Sequence, residues 1–303
     1  LKTTFYSNGK LLITGEYTVL DGATALALPT RHGQYLHLEE YTEPVIKWES
    51  RDADGAIWFK DELPFSAIIA KEEYKSPETN TLVAILHEAH KLNPDILQNA
   101  KGFKVETKLT FPRQWGLGTS STLINNVAQW FSIDAFDLLN KSFGGSGYDI
   151  ACAQNDSPIT YRLKNDIPVV EPVIFNPAFS EKLWFVYLNQ KQNSRSAIAA
   201  YRNRQSDTGS ILAEINELTA EILETETLPP FCQLIEKHEA VMGRVLELPT
   251  VKKALFSDFN GMLKSLGAWG GDFILAAAED NPTPYFNAHG YYTVIPYSDM
   301  ILK

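Results

Sequence analysis

The chain has 303 residues, 44 % of them hydrophobic and 21 % charged, with a formal net charge of −10. This composition describes an ordinary globular protein with enough apolar surface for one large core or two moderate ones. The acidic balance argues against a nucleic-acid binder, which needs a basic face against the phosphate backbone, whereas a small anionic ligand stays compatible because a few amides and one lysine hold it locally. The only cysteines, Cys152 and Cys232, are too few for a disulfide framework and lack metal-ligand spacing, so a reducing cytoplasm is expected, with both as small apolar side chains. Apolar runs are short and interrupted, as in LLITGEYTVL, so neither a signal peptide nor a membrane span is expected. The chain starts at Leu1 rather than Met, which leaves room for further N-terminal sequence.

In chain order, SNGKLLITGEYTVLDGATALALPT (7–30) sets Gly9-Lys10 before an apolar strand and interrupts that strand at Gly15-Glu16-Tyr17. Residues 31–49 mix β-branched and aromatic residues with charges and read as strands of a meander or hairpin. Leu82, Ile85, Leu86 and Ala89 recur at helical spacing over 81–92. Within that helix HEAH (87–90) falls short of the HExxH zinc spacing and reads as a solvated face. Phe103, Val105, Thr107, Leu109 and Phe111 alternate with polar residues, the period of a half-buried strand, which Pro112 ends.

PRQWGLGTSSTL (112–123) follows. Leu123, Ile124, Val127, Ala128 and Phe131 then form one helix face, whose first turn Thr119, Ser120 and Ser121 are placed to cap. A short helix, DAFDLLNKSF, leads to GGSGYDIA (144–151). KLWFVYLN (182–189) is an apolar strand. After it, residues 189–204 carry Lys191, Ser194, Arg195, Arg202 and Arg204, read equally as donors for a phosphate- and carboxylate-bearing substrate or as a solvated basic helix face. Helical patterns follow at about 210–224, 231–247 and 250–266. Gly267 to Gly271 break the last one before the strand FILAAA (273–278). Interspersed strands and helices make an α/β or α+β protein. The expected lobes are 1–178 and 179–303.

A strand, then GLGTSST, then a helix is an arrangement suited to phosphate. The first amides of a helix lack intrahelical partners and carry partial positive charge. Gly116 and Gly118 allow positive φ and close backbone approach, and Ser or Thr hydroxyls bond phosphate oxygens or Mg²⁺. A triphosphate cradle and a capped helix after a tight loop are equally compatible with the local pattern. The loop is not a Walker A motif, since GxxxxGK[ST] occurs nowhere in the chain.

Three glycine-rich segments in this order resemble the GHMP kinases, the superfamily of galactokinase, homoserine kinase, mevalonate kinase and phosphomevalonate kinase. The first family motif is met by Gly9, Lys10, Leu12, Gly15, Glu16, Val19, Gly22, Ala25 and Leu26, with Asn8 for the usual Pro and Tyr17 for the usual His. The second is met by Pro112, Gly116, Leu117, Gly118 and Ser120, with Thr119 conservative and Ser121-Thr122 for two small residues. The third is met by Lys264, Gly267, Ala268, Gly270 and Gly271, with Trp269 where the family prefers Gly.

The resemblance implies a two-lobed fold, an N-terminal lobe like ribosomal protein S5 and a ferredoxin-like C-terminal lobe, using ATP and Mg²⁺. It makes Asp149, in Ser146-Gly147-Tyr148-Asp149, the catalytic base with Lys10 as its partner. Pro112, Gly116, Leu117, Gly118, Thr119, Ser120 and Ser121 would bind ATP, Ser120 also serving as Mg²⁺ ligand. Glu16, Tyr17, Ser146, Gly267, Ala268, Asp272, Ser194 and Arg195 would meet the substrate. The position of the family's second metal ligand, a glutamate, falls on Leu138, beside Asp137. GEY, GSGYDIACA and Asp272 lean toward phosphomevalonate or mevalonate as the acceptor, a small anionic hydroxy acid, and GYDIA also resembles a bacterial subgroup marked by that sequence. The other readings are a fold that binds ligand without catalysis, a diphosphomevalonate decarboxylase, and a sugar or amino-acid kinase.

Overall fold

The structure, a computed structural model, describes residues 2–190, 201–202, 208–267, 269 and 272–302. In chain order the elements begin with β1 (Lys2–Leu12), β2 (Ala25–Glu40), β3 (Val45–Arg51) and β4 (Ile57–Pro64). Next come α1 (Phe65–Ala70), α2 (Pro77–Leu92), α3 (Asp95–Gln98), β5 (Phe103–Leu109), α4 (Thr119–Phe131), α5 (Ala135–Ser142) and α6 (Tyr148–Gln154). Then follow β6 (Ile159–Lys164), β7 (Ile167–Pro172), β8 (Leu183–Tyr187), α7 (Thr208–Leu223), α8 (Leu228–Leu246) and α9 (Val251–Leu255). The chain closes with β9 (Met262–Ser265), β10 (Phe273–Ala277), α10 (Thr283–Ala288), β11 (Val294–Pro296) and α11 (Tyr297–Met300). This is the mixed α/β architecture expected. None of the described helices is long and apolar enough to cross a membrane.

Contacts divide the chain into two compact units. The first takes Leu1–Gly9, His32–Arg113 and Leu117–Gln154; the second takes Lys10–Arg31, Gln114–Gly116 and Asn155–Lys303. This partition differs from lobes at 1–178 and 179–303. Residues 155–178 go with the second unit because β6 pairs Tyr161 to Ile159 with Ala25 to Ala27.

In the first unit the strands lie in the order β4, β3, β5, β2. β3 runs antiparallel to β4 and parallel to β5, and β5 pairs antiparallel with residues 34–40 of β2. β2 and β3 therefore do not form the hairpin expected of residues 31–49; β5 lies between them. The alternation of β5 appears as burial of Phe103, Val105, Thr107 and Leu109. These strands share a core with Ile85, Leu86 and Ala89 of α2 and with Ile124, Val127 and Phe131 of α4. HEAH is not a solvated face: Glu88 and His90 are buried, and Glu88 takes ion pairs from Lys71 and Lys91.

Polar contacts pin α4 to the strands. Asn126 donates to the Gln34 carbonyl at 2.9 Å and accepts from the Ser7 hydroxyl at 2.8 Å, while the Thr122 hydroxyl donates to Gln34 Oε1 at 2.9 Å. Directional bonds fix rotation and register of a helix in a way that apolar packing alone does not.

In the second unit four antiparallel strands lie in the order β11, β8, β10, β9. β8, β9 and β10 are buried along their whole length. That burial explains a misread element: the helical pattern at 250–266 is a short helix, α9, followed by β9. Four consecutive buried residues carry no period that separates strand from helix. Gly9-Lys10 likewise lie inside β1 rather than ahead of it.

Asn126→Leu leaves the Gln34 carbonyl and the Ser7 hydroxyl without this partner inside the core. The expected loss is about 3 kcal/mol of unfolding free energy, read by urea denaturation, against less than about 1 kcal/mol for a substitution at exposed Gln129.

Candidate active site

The glycine-rich loop enters α4 without a side-chain cap. Gly118 is the N-cap at φ 99° and has no side chain to bond the first-turn amides. The expectation that Thr119, Ser120 and Ser121 cap the helix is not met, because all three lie inside its first turn. The hydroxyls of Ser121 and Thr122 turn back onto the Gly118 carbonyl, at 2.9 and 3.0 Å. Leu117 is buried and anchors the loop, whereas Ser120 is exposed. An uncapped N-terminus on a thirteen-residue helix presents amides and the positive end of the helix dipole to an anion. These residues fit a phosphate group.

The residues just before it, Gln114 to Gly116, are fastened within the second unit. The Tyr187 hydroxyl donates to the Gln114 carbonyl at 3.1 Å. Trp115 meets Phe273 edge to face with ring centroids 5.4 Å apart, so it serves packing. Lys10 Nζ donates to the Gly116 carbonyl at 3.1 Å. A Cβ at residue 116 would stand 2.3 Å from Asp272 Oδ2, and Gly116 has φ 70°. Glycine is thus required there twice, by backbone conformation and by the carboxylate against it. Lys10, Gly116 and Asp272, drawn from all three glycine-rich segments, come together in this unit.

The Gly15-Glu16-Tyr17 turn is built onto the C-terminal half of the chain. Gly15 has φ 81° and Tyr17 φ 59°. The Gly15 amide donates to His238 Nε2 at 3.0 Å, Lys264 Nζ donates to Glu16 Oε1 at 2.5 Å, and the Tyr17 ring lies 5.5 Å from that of Tyr201. Lys264 and Glu16 are 0 % and 1 % exposed, so Glu16 is held as a buried partner of Lys264. Glu239 completes the cluster, accepting from the Ser265 amide at 2.8 Å and standing 3.7 Å from Lys264.

Burial sets the charges here. It pushes the Glu16 carboxyl up while Lys264 pulls it down, and it pushes Glu239 up to about 7. Burial, then Lys264, drives His238 well below the usual imidazole range. Because Nε2 of that neutral ring accepts the Gly15 amide, its 3.6 Å approach to Glu16 is a contact and not an ion pair. The sequence reading did not single out His238 or Glu239. The available signal was two polar residues on the face of α8 that also carries Ile235 and Met242 at helical spacing.

In the first unit Gly144, Gly145 and Gly147 all take positive φ and turn the chain into α6. Asp149 sits half-buried in the first turn of α6, its Oδ1 accepting the Ile150 amide at 3.1 Å, and Ser146 is half-buried in the turn. Leu138 is fully buried in the core and does not ligate a metal, while Asp137 is exposed in the first turn of α5. Among the described residues no three His, Cys, Asp or Glu side chains gather as metal ligands.

The structure therefore places Pro112, Leu117, Gly118, Thr119, Ser120, Ser121, Ser146 and Asp149 in the first unit. Lys10, Glu16, Tyr17, Gly116, Gly267 and Asp272 belong to the second. Ala268, Ser194 and Arg195 lie outside the described residues, as do Lys191, Arg204, Gly270 and Gly271. Trp269, in the third segment, is buried with φ 48°. Clefts of about 400 Å³ beside Cys232 and about 450 Å³ beside Arg244 contain none of these residues.

Gly116→Ala is expected to lower the unfolding free energy by more than the roughly 1–2 kcal/mol of a left-handed non-glycine residue. Adding Asp272→Ala recovers the excess. Simple additivity in that urea-denaturation cycle would show that the carboxylate does not crowd residue 116.

No family model and no curated protein matches the chain. Solved structures do. Methanococcus jannaschii mevalonate kinase superposes with a TM-score of 0.72 at 14 % identity, over 100 % of this chain and 99 % of that one. Streptococcus pneumoniae phosphomevalonate kinase, in complex with phosphomevalonate and AMPPNP, gives 0.69 at 16 % identity, over 99 % and 98 %. Lactococcus lactis galactokinase complexed with galactose gives 0.68 at 14 %, over 100 % and 95 %. At such low identity the likeness is one of architecture, and it agrees with the three glycine-rich segments: the chain has the fold of the GHMP kinases.

Proposed function

We propose that the chain is an ATP-dependent kinase that moves the γ-phosphoryl group of ATP to an oxygen of a small anionic hydroxy acid, phosphomevalonate or mevalonate. The observation that carries this reading is the uncapped N-terminus of α4, set behind two positive-φ glycines in a chain with the fold of small-molecule kinases. The first-turn amides and the Thr119, Ser120 and Ser121 side of the loop would hold the phosphates, with Pro112, Gly116, Leu117 and Gly118 giving the loop its path. Bound Mg²⁺ supplies charge neutralisation on the phosphates, and Ser120 is this chain's hydroxyl for it.

Asp149 would take the proton that leaves the acceptor hydroxyl as its oxygen bonds phosphorus and the bond from phosphorus to the ADP oxygen breaks. Lys10, an ammonium already directed at the loop carbonyl of Gly116, would favour the developing negative charge. Tyr17, Ser146, Gly267, Ala268, Asp272, Ser194 and Arg195 are assigned to the acceptor, with Glu16 acting through its buried pair. The acceptor's identity leans on GSGYDIACA and on the complex of the pneumococcal phosphomevalonate kinase with phosphomevalonate. The same reading places the protein in the cytoplasm.

A second reading, ligand binding without transfer, is favoured by Leu138, which the core holds where the resemblance calls for a metal-binding glutamate. ADP release measured with mevalonate, phosphomevalonate, galactose and homoserine separates the two. One acceptor should stimulate turnover; ATP binding with no stimulation by any of them supports the second reading. With the active acceptor, Asp149→Asn should lower kcat by about 10²- to 10⁴-fold and leave ATP affinity nearly unchanged, whereas an unchanged kcat removes Asp149 from the mechanism.

A further inference from the structure

The cluster of Glu16, His238, Glu239 and Lys264 holds more charge than a fold needs in its interior. Replacing a buried ion pair by apolar residues of similar volume is often neutral or stabilising, so stability alone does not account for it. Its placement is informative. Glu16 lies in the turn between two positive-φ residues, and Lys264 and Ser265 end β9 three and two residues before Gly267, where the third glycine-rich segment begins. His238 and Glu239 are neighbours on α8 and hold one side each: His238 the Gly15 amide, Glu239 the Ser265 amide. Lys264 bridges them, reaching Glu16 Oε1 at 2.5 Å and its neighbour's carbonyl, Ser265, at 3.0 Å.

We propose that Lys264, His238 and Glu239 are positioning residues for the acceptor: they hold the Gly15–Tyr17 turn and the start of the third glycine-rich segment in one register, and so set acceptor affinity without touching the acceptor. The proposal rests on the kinase reading for its functional half; its positional half stands on geometry alone. Four buried polar atoms of the cluster, Glu16 Oε2, His238 Nδ1, Glu239 Oε2 and Ser265 Oγ, have no hydrogen-bond partner among the described residues. The cluster is therefore sensitive to the proton it carries. One ammonium faces two carboxyl groups beside a neutral imidazole, so a proton on Glu239 leaves the interior neutral and its loss leaves one uncompensated negative charge.

The groups facing Glu239 are Lys264 and the Ser265 amide from β9, Glu16 from the turn and His238 beside it on α8. With its carboxyl pushed up from 4.5 to about 7, the folded state binds a proton that the unfolded chain releases. The resulting stabilisation is complete below pH 4.5 and is lost as pH rises through about 7, so the register loosens in that direction.

The test uses the full chain and Glu239→Gln, which keeps an acceptor for the Ser265 amide and cannot ionise. Hydrogen exchange at residues 14–18 and 264–267, and acceptor KM from ADP release, are followed from pH 5 to 8.5. After correction for the intrinsic base-catalysed exchange rate, wild type should lose protection and show a rising KM as pH increases; Glu239→Gln should hold both protection and KM flat. A variant that follows the wild-type pH dependence in exchange and in KM overturns the proposal. Lys264→Met with Glu16→Gln restores a neutral interior without the bridge. It should fold and lose on the order of a hundredfold in kcat/KM through misplacement, and wild-type kcat/KM in that variant equally overturns the proposal. If wild type turns over no acceptor, the functional half falls with the kinase reading, while exchange still upholds or overturns the positional half.

Discussion

The buried pair of Lys264 and Glu16 is the constraint on which much of the second unit depends. A lone ammonium or carboxylate at this depth would be driven to neutrality, so neither residue is placed without the other. Because the pair joins a turn near the start of the chain to the end of β9, it dictates how strand, turn and helix meet. Gly15 has to adopt positive φ and give its amide to His238, and α8 has to turn a histidine and a glutamate inward among Phe231, Ile235 and Met242. Breaking one partner of such a pair typically costs 3–5 kcal/mol, a large fraction of a domain's stability.

The glycine-rich loop before α4 follows a different logic, in which the N-cap position is left to a residue without a side chain. The Ser121 and Thr122 hydroxyls are turned onto the Gly118 carbonyl, so the N-cap residue offers the first-turn amides of α4 no side-chain bond. The rigidity needed to keep them there comes from below, through Leu117 in the core and the bonds of Asn126 and Thr122 to Gln34. Within the second unit, Gln114 to Gly116 are held by Tyr187, Phe273 and Lys10. An anion site on a loop works only if the loop cannot relax to satisfy itself.

Much of this was legible from the residues. Alternation gave β5, helical spacing gave α2 and α4, and three glycine-rich segments in order pointed to the fold. The failures share a physical cause. β9 was read as helix because burial on both faces erases its period, and the ion pair of Glu16 went unseen because nothing local shows that its charge is answered by a lysine 248 positions away. The pairing of β3 with β5 in place of β2 is also a matter of partners distant in sequence. The start of α4 was unreadable for the opposite reason: Thr, Ser and Ser ahead of a helix are usual capping residues, and only the fold shows that Gly118 takes the N-cap and that the Ser121 hydroxyl bonds its carbonyl.

The reach of these contacts bears on how the chain is made. Thr14 takes a hydrogen bond from Thr219, Gly15 gives one to His238, and Thr30 forms a bridge with Ile301. During synthesis Thr14, Gly15 and Thr30 leave the ribosome long before these partners do. The Gly15–Tyr17 turn must wait, incomplete, until α8 and β9 have emerged. Chains dominated by such distant pairings fold slowly and stay exposed to aggregation meanwhile, so loss of the chain from β9 onward would leave the N-terminal turn with a buried carboxylate and no lysine to answer it.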